Sequence, residues 1–180
     1  MNCFCQAATT TILVFGLGNF FGLLLGGGGG TYLYGKDKRY PALLAGCLAI
    51  GSCFPFWVLL NAVHNKSNPL FIVVVALSAG VLSGGTGPIV KATLQNVTLP
   101  QTRGQAFALF NTFDDFGRGL GPVFIFLLID NLGGRQNAFN IGVIGWMLCG
   151  AMNLAMYFTV VRDEHVVQQI LTADLSASDR

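Results

Sequence analysis

The sequence predicts an all-α membrane protein: a polytopic bundle of five transmembrane helices. Three observations support this prediction. Apolar residues make up 53% of the 180 residues, charged residues only 10%, and long uncharged stretches alternate with short segments that hold the charges. A soluble domain carries about 25% charged residues, and so few charges cannot cover a globular surface. The uncharged stretches are too long for strands and lack the alternation of a transmembrane barrel.

The spans are predicted from long, mostly apolar stretches, because a membrane-spanning helix needs about 20 mostly apolar residues. The predicted spans are Ala8–Leu33, Pro41–Leu60, Pro69–Val90, Gly104–Ile129 and Ala138–Val161. We expect residues 1–161 to form the transmembrane domain and residues 162–180 to form a polar C-terminal tail. Apolar residues at helical spacing would allow a short surface helix in this tail. The composition of the tail instead favours a solvated, partly disordered segment.

The basic residues predict the orientation in the membrane, because cytoplasmic loops are enriched in Lys and Arg. Six of them fall in the first loop, the third loop and the C-terminal flank: Lys36, Lys38, Arg39, Lys91, Arg103 and Arg162. Only Lys66 and Arg135 fall in the second and fourth loops. We therefore expect a cytoplasmic C-terminus and an outside N-terminus. An odd number of spans without a basic signal region leads us to expect that an N-terminal part is missing.

Several function classes are disfavoured by the sequence. The net charge of +2 is too small for a nucleic-acid partner. Cys3-x-Cys5 lacks two further zinc ligands at suitable spacing, so no metal site and no cofactor are predicted. No nucleophile–base pair or paired-His motif indicates an enzyme. The stretch Gly30–Asp37 approaches a phosphate-binding loop, but Asp37 stands where that loop needs Ser or Thr.

Glycines mark two predicted helix contacts. The first span contains the run Gly26, Gly27, Gly28, Gly29 and Gly30, which lets a neighbouring helix approach closely but also weakens the helix. We favour a packing contact or helix break there over a flexing gate. Gly80 and Gly84 in the third span form a small-xxx-small face for close packing.

The fourth span carries the predicted functional residues, Asn111, Asp114, Asp115 and Arg118. Asp114 lies about 16 Å from Arg103 along a helix, near the middle of a bilayer. With Asp114 at 0°, the other three side chains lie within about 100° of it, so all four share one arc. Charges at this depth should face protein or a water-filled cavity. The arc is open to three interpretations: coupling or gating, a structural ion-pair lock, and direct contact with a substrate.

Three segments carry a family resemblance. They are 96–104 (NVTLPQTRG), 114–122 (DDFGRGLGP) and 134–139 (GRQNAF), and they are similar to the C-terminal half of major facilitator superfamily transporters, closest to the Spinster-like branch. The resemblance implies that the five spans correspond to spans eight through twelve of a twelve-helix fold. It also implies a secondary-active transporter with a bilayer, a small-molecule solute, a coupling proton or ion, and a missing N-terminal half as partners.

The family's loop motif between spans eight and nine is degraded here. Its closing basic pair aligns with Lys38 and Arg39, but its acidic position falls on Tyr34 and the next basic position on Gly35. In the family this motif is part of a cytoplasmic charge latch, and this sequence departs from it at those two positions. The competing hypothesis is a non-transporting membrane subunit or assembly partner whose charges serve association only.

Overall fold

The computed structural model describes residues 2–62 and 68–178, which form five long helices. In lipid a backbone must satisfy its own polar groups, and a continuous helix does so. The helices are α1 (Asn2–Tyr34), α2 (Tyr40–Asn61), α3 (Pro69–Asn96), α4 (Arg103–Leu132) and α5 (Arg135–Ser178). The all-α prediction is therefore confirmed.

Local signals in the sequence account for the helix ends. The side chain of Asn68 caps α3 by accepting a hydrogen bond from the Leu70 amide at 3.0 Å. Proline near the first position starts both α2 and α3, where its missing N–H costs nothing. Gly133 ends α4 in the left-handed region with φ 69°, a conformation that favours glycine.

The helices run alternately up and down, so the bundle has two ends. The basic end contains the loop between α1 and α2, together with the α3–α4 connection. The opposite end contains Asn61 and the start of α5, where Gln136 Nε2 donates to Asn61 Oδ1 at 2.9 Å. Packing follows the order α1, α3, α2, α5, with α4 against α5 and touching α3 at few points.

Four helices are long and apolar enough to cross a membrane: α1 from Thr9, α2, α3 and α5 up to Ala173. The fourth helix, α4, is 30 residues long but is not among the four. Its charged residues lower its hydropathy, because Asp114, Asp115 and Arg118 fall within five residues. A membrane crossing by α4 stays a prediction.

The C-terminal segment differs from the sequence prediction. A solvated, partly disordered tail was expected from residue 162, but α5 continues without a break to Ser178 and is 44 residues long. The polar composition misled because Glu164, inside this segment, is buried against the basic end. That contact joins the first turns beyond the span to the bundle.

Candidate functional site

The polar arc of α4 contains one ion pair. Arg118 Nη2 lies 2.8 Å from Asp114 Oδ2, at the i,i+4 spacing that the helix allows. The Asp114 side chain is 38% exposed and that of Arg118 is 75% exposed. Asn111 and Asp115 are also exposed. Within the described part of the chain, Asp115 forms no salt bridge, so the arc keeps one carboxylate in excess.

The rest of α4 also packs little against the other helices. Its Gly117 and Gly121 have open space where a side chain would be, and Phe113 and Phe116 are largely exposed. Helix packing on α4 comes mainly from α5, as in the 3.7 Å approach of the Ile125 side chain to the Cβ position of Gly142. The polar arc therefore lies on a helix face that the described residues leave open.

A second cluster, formed by Tyr34, Lys38, Glu164 and Gln168, lies at the basic end; we name it the basic-end cluster. Glu164 is only 2% exposed. Its Oε1 accepts hydrogen bonds from the Tyr34 hydroxyl at 2.7 Å and from Gln168 Nε2 at 3.2 Å. Lys38 Nζ lies 2.7 Å from the same oxygen. The cluster joins the end of α1, the α1–α2 loop and α5.

The basic-end cluster was missed by the sequence analysis, although part of its signal was present. Tyr34 and Lys38 stand at positions of the degraded loop motif, but their acidic partner is 126 to 130 residues away, on α5. Asp37 does not replace it, because its Oδ1 accepts from the Arg39 backbone N–H at 2.9 Å. Arg39 instead places its guanidinium 5.7 Å from the centre of the Tyr157 ring.

The glycines form a close seam between α1 and α3. A Cβ on Gly26 would meet the backbone of Gly85, and one on Gly30 would lie 3.2 Å from Ile89. Gly80 and Gly84 face the backbone of Phe15 and Asn19 on α1.

The seam also differs from the predicted run in two ways. Gly28 has open space around it, and Gly27 and Gly29 have only ordinary contacts. Gly18 and Gly22, which the sequence analysis did not name, do lie in the seam. Their four-residue spacing with Gly26 and Gly30 was the available signal.

Metal-ligating side chains do not gather in the part of the chain that the structure describes. Across residues 2–62 and 68–178, no three His, Cys, Asp or Glu side chains lie together in a metal-binding arrangement. Cys47, Cys53 and Cys149 are free thiols, while the side chains of Cys3 and Cys5 lie outside what the structure describes.

Comparison with known proteins gives one match. The family described as Major Facilitator Superfamily matches residues 5–122, well over half of the chain. No curated protein and no solved structure matches the chain. The matched residues include all of α2 and α3 and the polar arc of α4.

Proposed function

Because the chain belongs to the major facilitator superfamily, we propose that it acts in secondary-active transport of a small solute by alternating access. It is an integral, multi-pass membrane protein, consistent with its four strongly apolar helices. In this proposal the chain is a C-terminal fragment or truncated form, and its helices correspond to spans eight through twelve. The segments 96–104 and 114–122 support a place near the Spinster-like branch.

The open polar arc of α4 is the observation that carries the proposal. A charge at the bilayer centre costs about 2.5–3.5 kcal/mol on insertion scales unless it is paired or hydrated. Asp114 is paired with Arg118, but Asp115 is not paired within the described residues. A surface with one excess carboxylate is unsuited to lipid, and it suits an interface with a second helix bundle or an aqueous path. Alternating access requires such an interface.

For the arc, coupling between helices is the role that we propose. Arg118 lies between two carboxylates on one face, so a change of partner from Asp114 to Asp115 or to a residue of another bundle would need only rotation of its side chain. One carboxylate could take up a proton in the same step. A permanent lock and direct contact with the solute remain the alternatives, and both keep the arc away from lipid.

The basic-end cluster supports a latch on the side that we propose to be cytoplasmic. The family's loop motif has an acidic residue at the position where this chain has Tyr34. In this proposal Glu164 of α5 takes its place, since Tyr34 and Lys38 both contact Glu164. The latch would hold α1, the α1–α2 loop and α5 together. This arrangement gives Lys38 a structural partner in an otherwise degraded motif.

The placement of the arc can be tested by cysteine labelling in membranes of cells that express the protein from its own locus. Cysteines at positions 114, 115 and 118 should react little with a lipid-soluble diazirine that is photoactivated in the bilayer, because protein or water covers them. A cysteine at position 116 is the matched control, since Phe116 lies about 150° from the centre of the arc. It should react readily. Equally ready labelling of all four positions from lipid would overturn the proposed interface.

Transport itself separates the proposal from its alternative, a non-transporting membrane subunit. The protein would be purified with whatever co-purifies, reconstituted into vesicles and tested for counterflow of a panel of radiolabelled solutes. Saturable counterflow that falls at least about tenfold in Asp114→Asn supports a transporter. A stable complex that moves no solute, with the arc still covered, supports the subunit.

A further inference from the structure

Charge is divided unevenly between the two ends of the bundle. Among the described residues, the opposite end carries Asp130 and Arg135, whose charges cancel. The basic end, up to residue 164, carries a net charge of +3 from six basic and three acidic residues: Lys36, Lys38, Arg39, Lys91, Arg103 and Arg162 against Asp37, Asp163 and Glu164. The one salt bridge that the described residues form there joins Lys38 to Glu164, so most of this positive charge stays available to a partner.

Three cations of the basic end, Lys36, Arg39 and Lys91, are exposed and have similar surroundings; we name them the surface cations. None of the three forms a salt bridge with a described residue. Each instead lies over an aromatic ring, at 4.9 Å from the centre of Tyr32, 5.7 Å from that of Tyr157 and 5.9 Å from that of Phe110, respectively. The face of a ring attracts a cation at this distance, and such a contact leaves most of the N–H donors of the cation free for an anion.

The surface cations lie at the depth of lipid phosphates. With 22 residues, α2 is about 33 Å long, slightly more than the roughly 30 Å hydrocarbon core. Arg39, the residue before α2, thus lies at one membrane surface when Asn61 lies at the other. Lys91 lies at a similar depth, since it is about 33 Å along α3 from Pro69. Basic side chains and aromatic rings are typical of this boundary between hydrocarbon and headgroups.

This placement selects among anionic partners. A soluble acidic macromolecule would have to reach cations that lie beside rings at the hydrocarbon boundary, whereas a lipid phosphate lies at that depth already. A zwitterionic phospholipid carries its own cation next to the phosphate, and the net charge of +3 repels it. An anionic phospholipid has no such cation. Each basic residue at an anionic membrane surface strengthens binding by a factor of about five.

We propose that the basic end binds anionic phospholipids in preference to neutral ones, and that the surface cations hold the lipid phosphates. The lipids belong to the leaflet on the side where we expect the cytoplasm, and this leaflet is the one rich in anionic lipids. An acyl chain can pack on Phe158, which is largely exposed beside Tyr157. The proposal does not rest on transport, because it concerns the lipid-facing surface and not the polar arc of α4.

Native mass spectrometry of the full chain in detergent micelles tests this preference. The protein is titrated with dioleoyl phosphatidylglycerol, which is anionic. A parallel titration uses dioleoyl phosphatidylcholine, which has the same acyl chains and no net charge. We expect the first bound phosphatidylglycerol to have an apparent Kd at least about fivefold lower than that of phosphatidylcholine. Equal Kd values for the wild type would overturn the proposal.

Substitutions of the surface cations locate the binding. Lys36→Gln, Arg39→Gln and Lys91→Gln, combined in one triple variant, should bring the ratio of the two Kd values to about one. Arg135→Gln is the matched control, because it removes an exposed basic residue at the opposite end. It should keep the wild-type ratio. A charge-preserving triple variant, Lys36→Arg, Arg39→Lys and Lys91→Arg, should keep it too, and it distinguishes the effect of charge from a loss of fold.

Three results for the variants would overturn the proposal: a wild-type ratio in the triple glutamine variant, an equal loss in Arg135→Gln, or an equal loss in the charge-preserving variant. The outcome is independent of the transport assay. A preference for phosphatidylglycerol without solute counterflow supports lipid binding and argues against the transporter. Counterflow without this preference supports the transporter and overturns the lipid binding.

Discussion

Lys36 and Lys38 are neighbours in the loop between α1 and α2, but their surroundings differ. Lys38 contacts the buried carboxylate of Glu164 and is 34% exposed. Lys36 lies 4.9 Å from the centre of the Tyr32 ring, at the surface. A comparison of the two lysines therefore distinguishes a lysine in a structural ion pair from a lysine at the surface.

Lys38→Met should lower the free energy of unfolding by about 1–3 kcal/mol, less than the 3–5 kcal/mol typical of a fully buried pair because Lys38 is partly exposed. Lys36→Met should change it by no more than about 0.5 kcal/mol. Unfolding in mixed micelles, followed by tryptophan fluorescence, measures both. Equal losses for the two variants would contradict a structural role for the Lys38–Glu164 pair.

Single residues also show where the sequence was insufficient. The Asp114–Arg118 pair could be predicted because its partners are four residues apart on one helix. Glu164 could not be placed, since its partners Tyr34 and Lys38 become neighbours only when α1, α2 and α5 assemble. Local polarity around Glu164 favours a solvated tail, and only the tertiary contact reverses that prediction.

At the scale of elements, the α1–α3 seam is the closest helix contact in the described structure. Gly18 of α1 has no room for a methyl group, because a Cβ there would lie 2.5 Å from the Leu77 carbonyl oxygen. Gly22 likewise faces the backbone of Val81. Backbone atoms cannot move aside as a flexible side chain can, so even alanine requires the two helices to separate.

Gly22→Ala should therefore lower the free energy of unfolding by about 1–3 kcal/mol. Gly28→Ala is the matched control on the same helix, because its Cβ would enter open space. It should be neutral or stabilise by up to about 1 kcal/mol through the better helix propensity of alanine. The same mixed-micelle titration compares them, and a Gly28→Ala loss as large as that of Gly22→Ala would argue against the seam.

The positions of the helices were predicted more accurately than their ends. Mostly apolar stretches located all five helices, because the bilayer demands long apolar runs. The structure extends the last helix by 17 residues beyond the predicted limit at Val161. Gly80 and Gly84 were identified from spacing alone, whereas which glycines of the 26–30 run face α3 depends on the rotation of α1, and sequence does not give that rotation.

At the scale of the whole molecule, the α2–α5 pair is tied at both ends. Asn61 and Asn140 exchange amide hydrogen bonds of 2.9 and 3.2 Å at one end, and Lys38 contacts Glu164 at the other. Along α5, Asn140 and Glu164 are about 36 Å apart. This distance slightly exceeds the roughly 30 Å hydrocarbon core, so both ties would lie near the two membrane surfaces.

The orientation of the molecule can be measured by labelling intact cells with a membrane-impermeant maleimide, after all five native cysteines have been replaced. Cysteines at 36 and 176 should be protected, because the basic end is expected in the cytoplasm. A cysteine at 131, at the opposite end, should be labelled.

The outcomes separate topology from orientation. Labelling of 36 and 176 with protection of 131 would contradict the predicted orientation and leave the fold intact. Labelling of 36 and 176 from opposite sides would contradict the alternating arrangement of the helices itself.

The length of α5 has a mechanical consequence. Beyond Glu164, residues 165–178 continue the helix for about 21 Å without a break. If α5 pivots about its anchor at Glu164, a tilt of about 10° displaces the far end by about 4 Å. The Tyr34–Lys38–Glu164 contact would be the fixed point of such a tilt. A small change of angle at that contact would therefore be enlarged at the distal end of the helix.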